Sequence, residues 1–210
     1  MNPVVAVLDL GAGDFSEFID ALETAGSKVV ITSQRSEILD ADAFVVYGAG
    51  QLSSLMSALD KSKAAELVDS RLAGGKAVAG FGAGMHAMFE GSADDNQNAQ
   101  GLAQWPGVIT KLDFGSILES KMSKVLVAKN SKLFQGIESE QFLFDQTEAV
   151  LEFSLQADPP FVAPLVSYLN QDAAFIAAVE NGPLTGIGFY PERSGAAGIA
   201  LLRNWLGTLR

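Results

Sequence analysis

Few residues in this chain are placed to do chemistry. Three glycine-bearing turns follow apolar runs: Gly11-Ala12-Gly13, Gly48-Ala49-Gly50 and Gly80-Phe81-Gly82-Ala83-Gly84. Open α/β sheets place their sites at the carboxyl ends of strands, where turns of this kind sit. Any one of them alone is also ordinary turn chemistry. A dinucleotide fingerprint needs a third glycine to open the first helix, and here Phe15 and Ser16 follow Asp14 instead. The sequence holds no cysteine and a single histidine, His86. That excludes thiol nucleophiles, disulfides, thiolate zinc sites and His-rich metal sites. His86 has two readings: a general base with Glu192 or Asp145 beside it, or a helix residue without chemistry. With no nucleophile in reach, the second is preferred. Asp94 and Asp95 offer carboxylates in a polar stretch, where a solvated turn is favoured over metal ligation.

The elements that must position these residues alternate in the first half. Val4 to Leu10 reads as a buried strand. A helix with Asp14 as N-cap and Phe15, Phe18, Ile19 and Leu22 on one face then runs to Gly26. Further strands are expected at Val29–Thr32, Ala43–Tyr47 and Ala77–Gly80, a helix over 61–72, and another through Met85, Met88 and Phe89. Residues 91–101 read as a loop. The second half offers shorter strands near 107–112, 123–128, 141–144, 165–169, 173–180 and 184–189. Breaks fall at Asn170-Gln171 and at Asn181-Gly182-Pro183, and a closing helix spans Ser194 to Leu209. Buried strands alternating with helices point to a mostly parallel central sheet flanked by helices, with a small antiparallel region in the second half. No repeat, low-complexity tract or long linker divides the chain, so residues 1–210 read as a single domain.

Hydrophobic residues make up 48% of the 210 and charged ones 19%, ordinary values for a globular chain with a sizeable core. The formal net charge of −11 repels phosphate backbones and argues against nucleic acid as a partner. No apolar run reaches the roughly 18 residues of a membrane span, and no basic region precedes Val4. A cytoplasmic location without membrane attachment is expected.

Two segments carry a family likeness. Gly80-Phe81-Gly82-Ala83-Gly84-Met85-His86 resembles the nucleophile elbow of class I glutamine amidotransferases, Gly-x-Cys-x-Gly-Met-Gln. Tyr190-Pro191-Glu192-Arg193-Ser194-Gly195 resembles their His-Pro-Glu-Lys-Ser segment. More narrowly, the chain is similar to the family of glutaminase subunits of imidazole-glycerol-phosphate synthase. That likeness includes Val7-Leu8-Asp9-Leu10-Gly11-Ala12-Gly13, Trp105-Pro106-Gly107-Val108 and Leu201-Leu202-Arg203-Asn204-Trp205. It implies a class I glutamine amidotransferase (flavodoxin-like) fold.

The resemblance also implies what is missing. The family needs a thiolate, a histidine base and a carboxylate that orients the imidazole. The matching positions are Gly82, with no side chain, Tyr190, a phenol too weakly basic at neutral pH, and Glu192, the retained acid. Gly48, Ala49 and Gly50 match the oxyanion strand, whose amides would then have no task. His86 takes the place of the motif's Gln, and Asp145-Gln146-Thr147 that of a His-Ser-Tyr triplet in the glutamine pocket. No cofactor and no metal is implied. The implied partner is the cyclase subunit of imidazole-glycerol-phosphate synthase, in a heterodimer, through a face near Asp14 and Met122. The expected function is a catalytically inactive glutaminase-like subunit. The alternative is a free-standing pseudoenzyme that binds another protein or a small molecule through the remodelled cleft.

An elbow forces its residue into a backbone conformation that costs a non-glycine about 1–3 kcal/mol and glycine little. Gly82→Cys is therefore expected to lower stability by roughly that amount in urea denaturation. An unchanged or raised midpoint would remove the strain argument.

Overall fold

A computed structural model describes residues 2–11, 14–50, 52–93, 99–112, 121–153, 162–169 and 175–209. A nine-stranded sheet runs through it in the order β2-β1-β3-β4-β12-β11-β10-β7-β8. β1 (Val4–Leu8), β2 (Lys28–Thr32), β3 (Ala43–Gly48), β4 (Ala77–Gly82) and β12 (Leu184–Ile187) are mutually parallel. From β12 the sheet continues antiparallel through β11 (Phe175–Asn181), β10 (Leu165–Leu169), β7 (Lys121–Leu126) and β8 (Gln141–Phe144). A separate three-stranded sheet holds β5 (Gly91–Ser92), β6 (Val108–Lys111) and β9 (Glu148–Val150).

β1, β3 and β4 are continuous apolar runs because both of their faces are covered, while β2 lies at the sheet edge with Ile31 exposed. Along β1, Val5 and Val7 face one core while Ala6 and Leu8 face the other. The first core is closed by α1 (Ser16–Ala25) and α6 (Gly195–Leu206), which bring Phe18, Leu22, Leu201, Leu202 and Trp205 against it. The second lies under α2 (Arg35–Asp40), α3 (Leu52–Ser62), α4 (Ala64–Ala73) and α5 (Ala83–His86).

Several sequence expectations are corrected in detail. The N-cap of α1 is Phe15, not Asp14. Asp14 instead accepts hydrogen bonds from the Ser16 amide (2.9 Å) and hydroxyl (2.6 Å), a local turn that competes with capping. The helix expected over 61–72 is divided: α3 ends at Ser62, Lys63 adopts φ 55°, and α4 begins at Ala64. The helix expected through Phe89 stops at His86. Residues 91–101 are not wholly loop, because β5 pairs with β6 and Gly91 bridges Gln100. The break at Asn170-Gln171 and the pair Asp94 and Asp95 lie outside the described residues.

One buried cation ties the second core to the sheet. Arg71 of α4 is fully buried, and its five N–H groups donate to the carbonyls of Ile38, Ala41, Asp42 and Ala77 at 2.8–3.1 Å. It thereby supplies donors where α2 ends and where β3 and β4 begin. A buried carbonyl left without a donor costs about 1–3 kcal/mol. Arg71→Met, which keeps the aliphatic bulk, is expected to lose about 2–4 kcal/mol in urea denaturation. A loss below about 0.5 kcal/mol would show that these carbonyls find other donors.

Candidate functional site at the Gly82 turn

β3 and β4 run side by side to their last residues, which places Gly48 opposite Gly82 at the carboxyl edge of the sheet. There β4 turns directly into α5 with Gly82 at φ 58°, ψ −126°, a backbone conformation that side chains strain to adopt. The turn is tight because α5 packs almost onto the β3 backbone. A Cβ on Gly84 would overlap the Val46 carbonyl oxygen. A Cβ on Gly82 would overlap the Gly48 carbonyl oxygen and lie 3.2 Å from Cε1 of Tyr190. The strand-to-helix elbow is thus fully formed around a residue with no side chain and no room for one.

Of the 48–50 segment, Gly48 presents a carbonyl acceptor towards Gly82, where an oxyanion site would need a donor. The Gly50 N–H acts only weakly on the Tyr190 phenol, lowering its pKa against the larger upward push of burial. Ala49 and Gly50 are exposed.

Tyr190 and Glu192 arrive on the 3-10 turn Pro191–Arg193 just before α6, so the packing of α6 against α1 fixes them. Glu192 meets Tyr47, whose hydroxyl donates to Oε1 at 2.8 Å. Tyr47 is the last side chain of β3 facing the first core. Phe18 stacks on it (centroids 4.5 Å apart) and Phe15 meets it edge-on at 5.6 Å. Burial raises the Glu192 carboxyl pKa above its usual range, and the Tyr47 hydrogen bond offsets only part of this. Burial, with Glu192 beside it, raises Tyr47 far above an ordinary phenol. Tyr190 is raised as well, chiefly by burial and then by the charges of Asp145 and Glu192. The Arg193 guanidinium lies 5.7 Å from the Tyr190 ring centroid and pairs with Asp145 at 3.1 Å.

The structure therefore gathers Gly82, Tyr190, Glu192, Asp145 and the 48–50 segment at one edge. Tyr47 and Arg193 complete the cluster. Both lie in or beside segments the sequence singles out, but spacing gave no sign that Tyr47 meets Glu192, because that contact joins positions 145 residues apart. Met122 on β7 is opposite Leu143 of β8, and the Leu143 carbonyl accepts the Tyr190 N–H at 3.2 Å. That sets Met122, 40% exposed, beside the cleft, while exposed Asp14 precedes Phe15 on the Tyr47 side. Gln146 is buried with neither amide atom hydrogen-bonded.

His86 is not part of this cluster. It is 2% exposed, neither ring nitrogen has a partner, and burial alone depresses its pKa to about 4. No charge from Glu192 or Asp145 contributes, so the relocated-base reading finds no support. Among the described residues no group of three or more His, Asp or Glu gathers to hold a metal ion. No described helix is long and apolar enough to cross a membrane.

Several known proteins are similar to the chain over its whole length. It is 38% identical over 209 residues to the imidazole glycerol phosphate synthase subunit HisH of Leifsonia xyli subsp. xyli, covering 100% of both chains. It is 35% identical over 211 residues to that of Thermobifida fusca, again with 100% of both covered. Among solved structures, PurLQS from Thermotoga maritima matches with a TM-score of 0.69 at 18% identity, covering 100% of both chains. The glutaminase domain of Trypanosoma brucei CTPS with bound acivicin matches with 0.64 at 13% identity, covering 99% of this chain and 93% of that one. These structures establish the class I glutamine amidotransferase fold. No family model matches the chain.

The buried imidazole sets a pH dependence. Above about pH 6.5 His86 is neutral in both folded and unfolded chains and contributes no slope. As pH falls from there towards 4, the unfolded chain takes the proton and the folded chain does not, so stability drops. Glu192, with its pKa raised, acts in the opposite direction, because the folded chain takes that proton first. The His86→Gln variant isolates the first effect. Between pH 7 and pH 4.5 the parent chain is expected to lose about 2–3 kcal/mol more than this variant in urea denaturation. Equal losses would place the imidazole in contact with water.

Proposed function

The chain belongs to the family of imidazole glycerol phosphate synthase HisH subunits, and from its Gly82 turn we propose that it is a non-catalytic member. In this reading residues 1–210 form one glutamine amidotransferase-like domain that does not hydrolyse glutamine. It docks in the cytoplasm on the cyclase subunit of imidazole-glycerol-phosphate synthase as a heterodimer, in histidine biosynthesis.

The carrying observation is the Gly82 turn. Amide hydrolysis through an acyl-enzyme needs a nucleophile on the elbow and a base within hydrogen-bond reach. Gly82 offers no atom to attack with, and the Gly48 carbonyl fills the space of its Cβ. No other residue supplies a thiol, since the sequence has no cysteine. The nearest group at the base position is Tyr190, whose raised pKa keeps it protonated at neutral pH. Glu192 orients no imidazole and is held by Tyr47 instead. Removing one member of such a unit already costs several orders of magnitude in rate. The cyclase would then draw on free ammonia, or the chain would act on it by contact alone.

The docking face is placed near Asp14 and Met122, on either side of the cleft. Exposed Met122 and Leu126 on β7 give it apolar area. Lys121 and Lys124 on the same strand are also exposed, and with Asp14 they make the face more charged. Those charges favour a second reading, a free-standing pseudoenzyme with a different protein partner.

Sedimentation velocity of the chain mixed with the cyclase subunit of the same organism separates the two. At micromolar concentrations a single one-to-one species is expected, and Met122→Asp should weaken it by roughly tenfold or more. Two independently sedimenting species would leave the free-standing pseudoenzyme.

A further inference from the structure

The remodelled cleft is filled, and one side chain does most of the filling. Tyr190 is 7% exposed. Its Cε1 lies 3.2 Å from where a Cβ of Gly82 would stand, over the turn itself. Its backbone is clamped on both sides. The N–H donates to the Leu143 carbonyl at 3.2 Å, and the carbonyl accepts the Ser194 hydroxyl at 2.7 Å. Ser194 Oγ in turn accepts the Leu143 N–H at 2.9 Å, closing a small ring of bonds between β8 and the start of α6. Arg193 covers the aromatic ring, steadied by Asp145. That ion pair is exposed and worth at most about 1 kcal/mol, so packing must do most of the holding.

We propose that Tyr190 is the cleft's own occupant: its ring and phenol take the space over the Gly82 turn that a small ligand would need, and so keep the cleft shut. The seat is specific in class. It accepts a flat aromatic body against the turn, with its hydroxyl at the far end towards the Gly50 backbone. A free phenol matches it. The inference goes beyond the docking reading and does not depend on it, because the contacts lie wholly within this chain. It also counts against a small-molecule ligand in the alternative reading.

The test is to empty the seat and refill it. Tyr190→Ala in the full chain is expected to melt about 5–15 °C lower. Millimolar p-cresol should then raise the variant's Tm by about 2–4 °C, toluene should raise it less, and the parent chain should not respond. A parent chain that gains as much from p-cresol as the variant would show an open cleft and overturn the proposal. A folded variant indifferent to p-cresol would overturn it equally. If the alanine variant does not fold, Tyr190→Leu decides by the same melts: p-cresol should raise its Tm by about 2 °C, and a folded leucine variant indifferent to p-cresol would overturn the proposal.

Discussion

The close approach of α5 to the backbones of β3 and β4 is the constraint on which the rest of this edge depends. Gly84 permits it, since any side chain there would run into the Val46 carbonyl. It forces the chain to reverse at Gly82 through a backbone conformation reserved in practice for glycine or for a residue held under strain. The same approach brings the Gly48 carbonyl against Gly82. The turn carries no side chain at Gly82, and the Gly48 carbonyl fills the place where one would begin.

Around that turn, burial outweighs the polar contacts. The Tyr47 hydroxyl donates to Glu192, which by itself would favour the carboxylate, yet the net shift of Glu192 is upward because desolvation is larger. Arg193 and Asp145 remain partly in water, so their pair is weak and steers more than it stabilises. The tyrosines carry the edge. Tyr47 sits in the aromatic stack with Phe18, Phe15 and Phe81, and Tyr190 sits over the glycine turn. Both phenols are held above the ordinary phenol range and the carboxyl group is shifted upward, each chiefly by burial.

Much of the fold is legible in the sequence where the physics is local. β1 to β4 are β-branched or apolar runs with polar or glycine-rich segments between them, and they emerge within a residue or two of their expected bounds. α3 also carries its signal, with Leu52, Leu55, Met56 and Leu59 at helical spacing, though the serines between them obscure it. α2 buries only Ile38 and is too short to show a period. The break at Lys63 has no glycine to mark it, so α3 and α4 blur into a helix with the wrong bounds. At the site, the elbow is readable because its glycines are contiguous. The contacts of Tyr47 with Glu192, Tyr190 with the Gly82 turn and Arg193 with Asp145 are not, since each joins distant parts of the chain. The inward turn of the Gly48 carbonyl leaves no trace in residue types at all.

The direct measurement is release of glutamate from glutamine by the chain mixed with its cyclase subunit, followed with and without the cyclase's own substrate. If the chain is non-catalytic as proposed, no glutamate forms above the uncatalysed background in either condition, while added ammonia supports cyclase turnover. Glutamate formed at enzymatic rates, on the order of 1 s⁻¹ or more, would contradict that and require a catalytic group that the Gly82 turn does not provide.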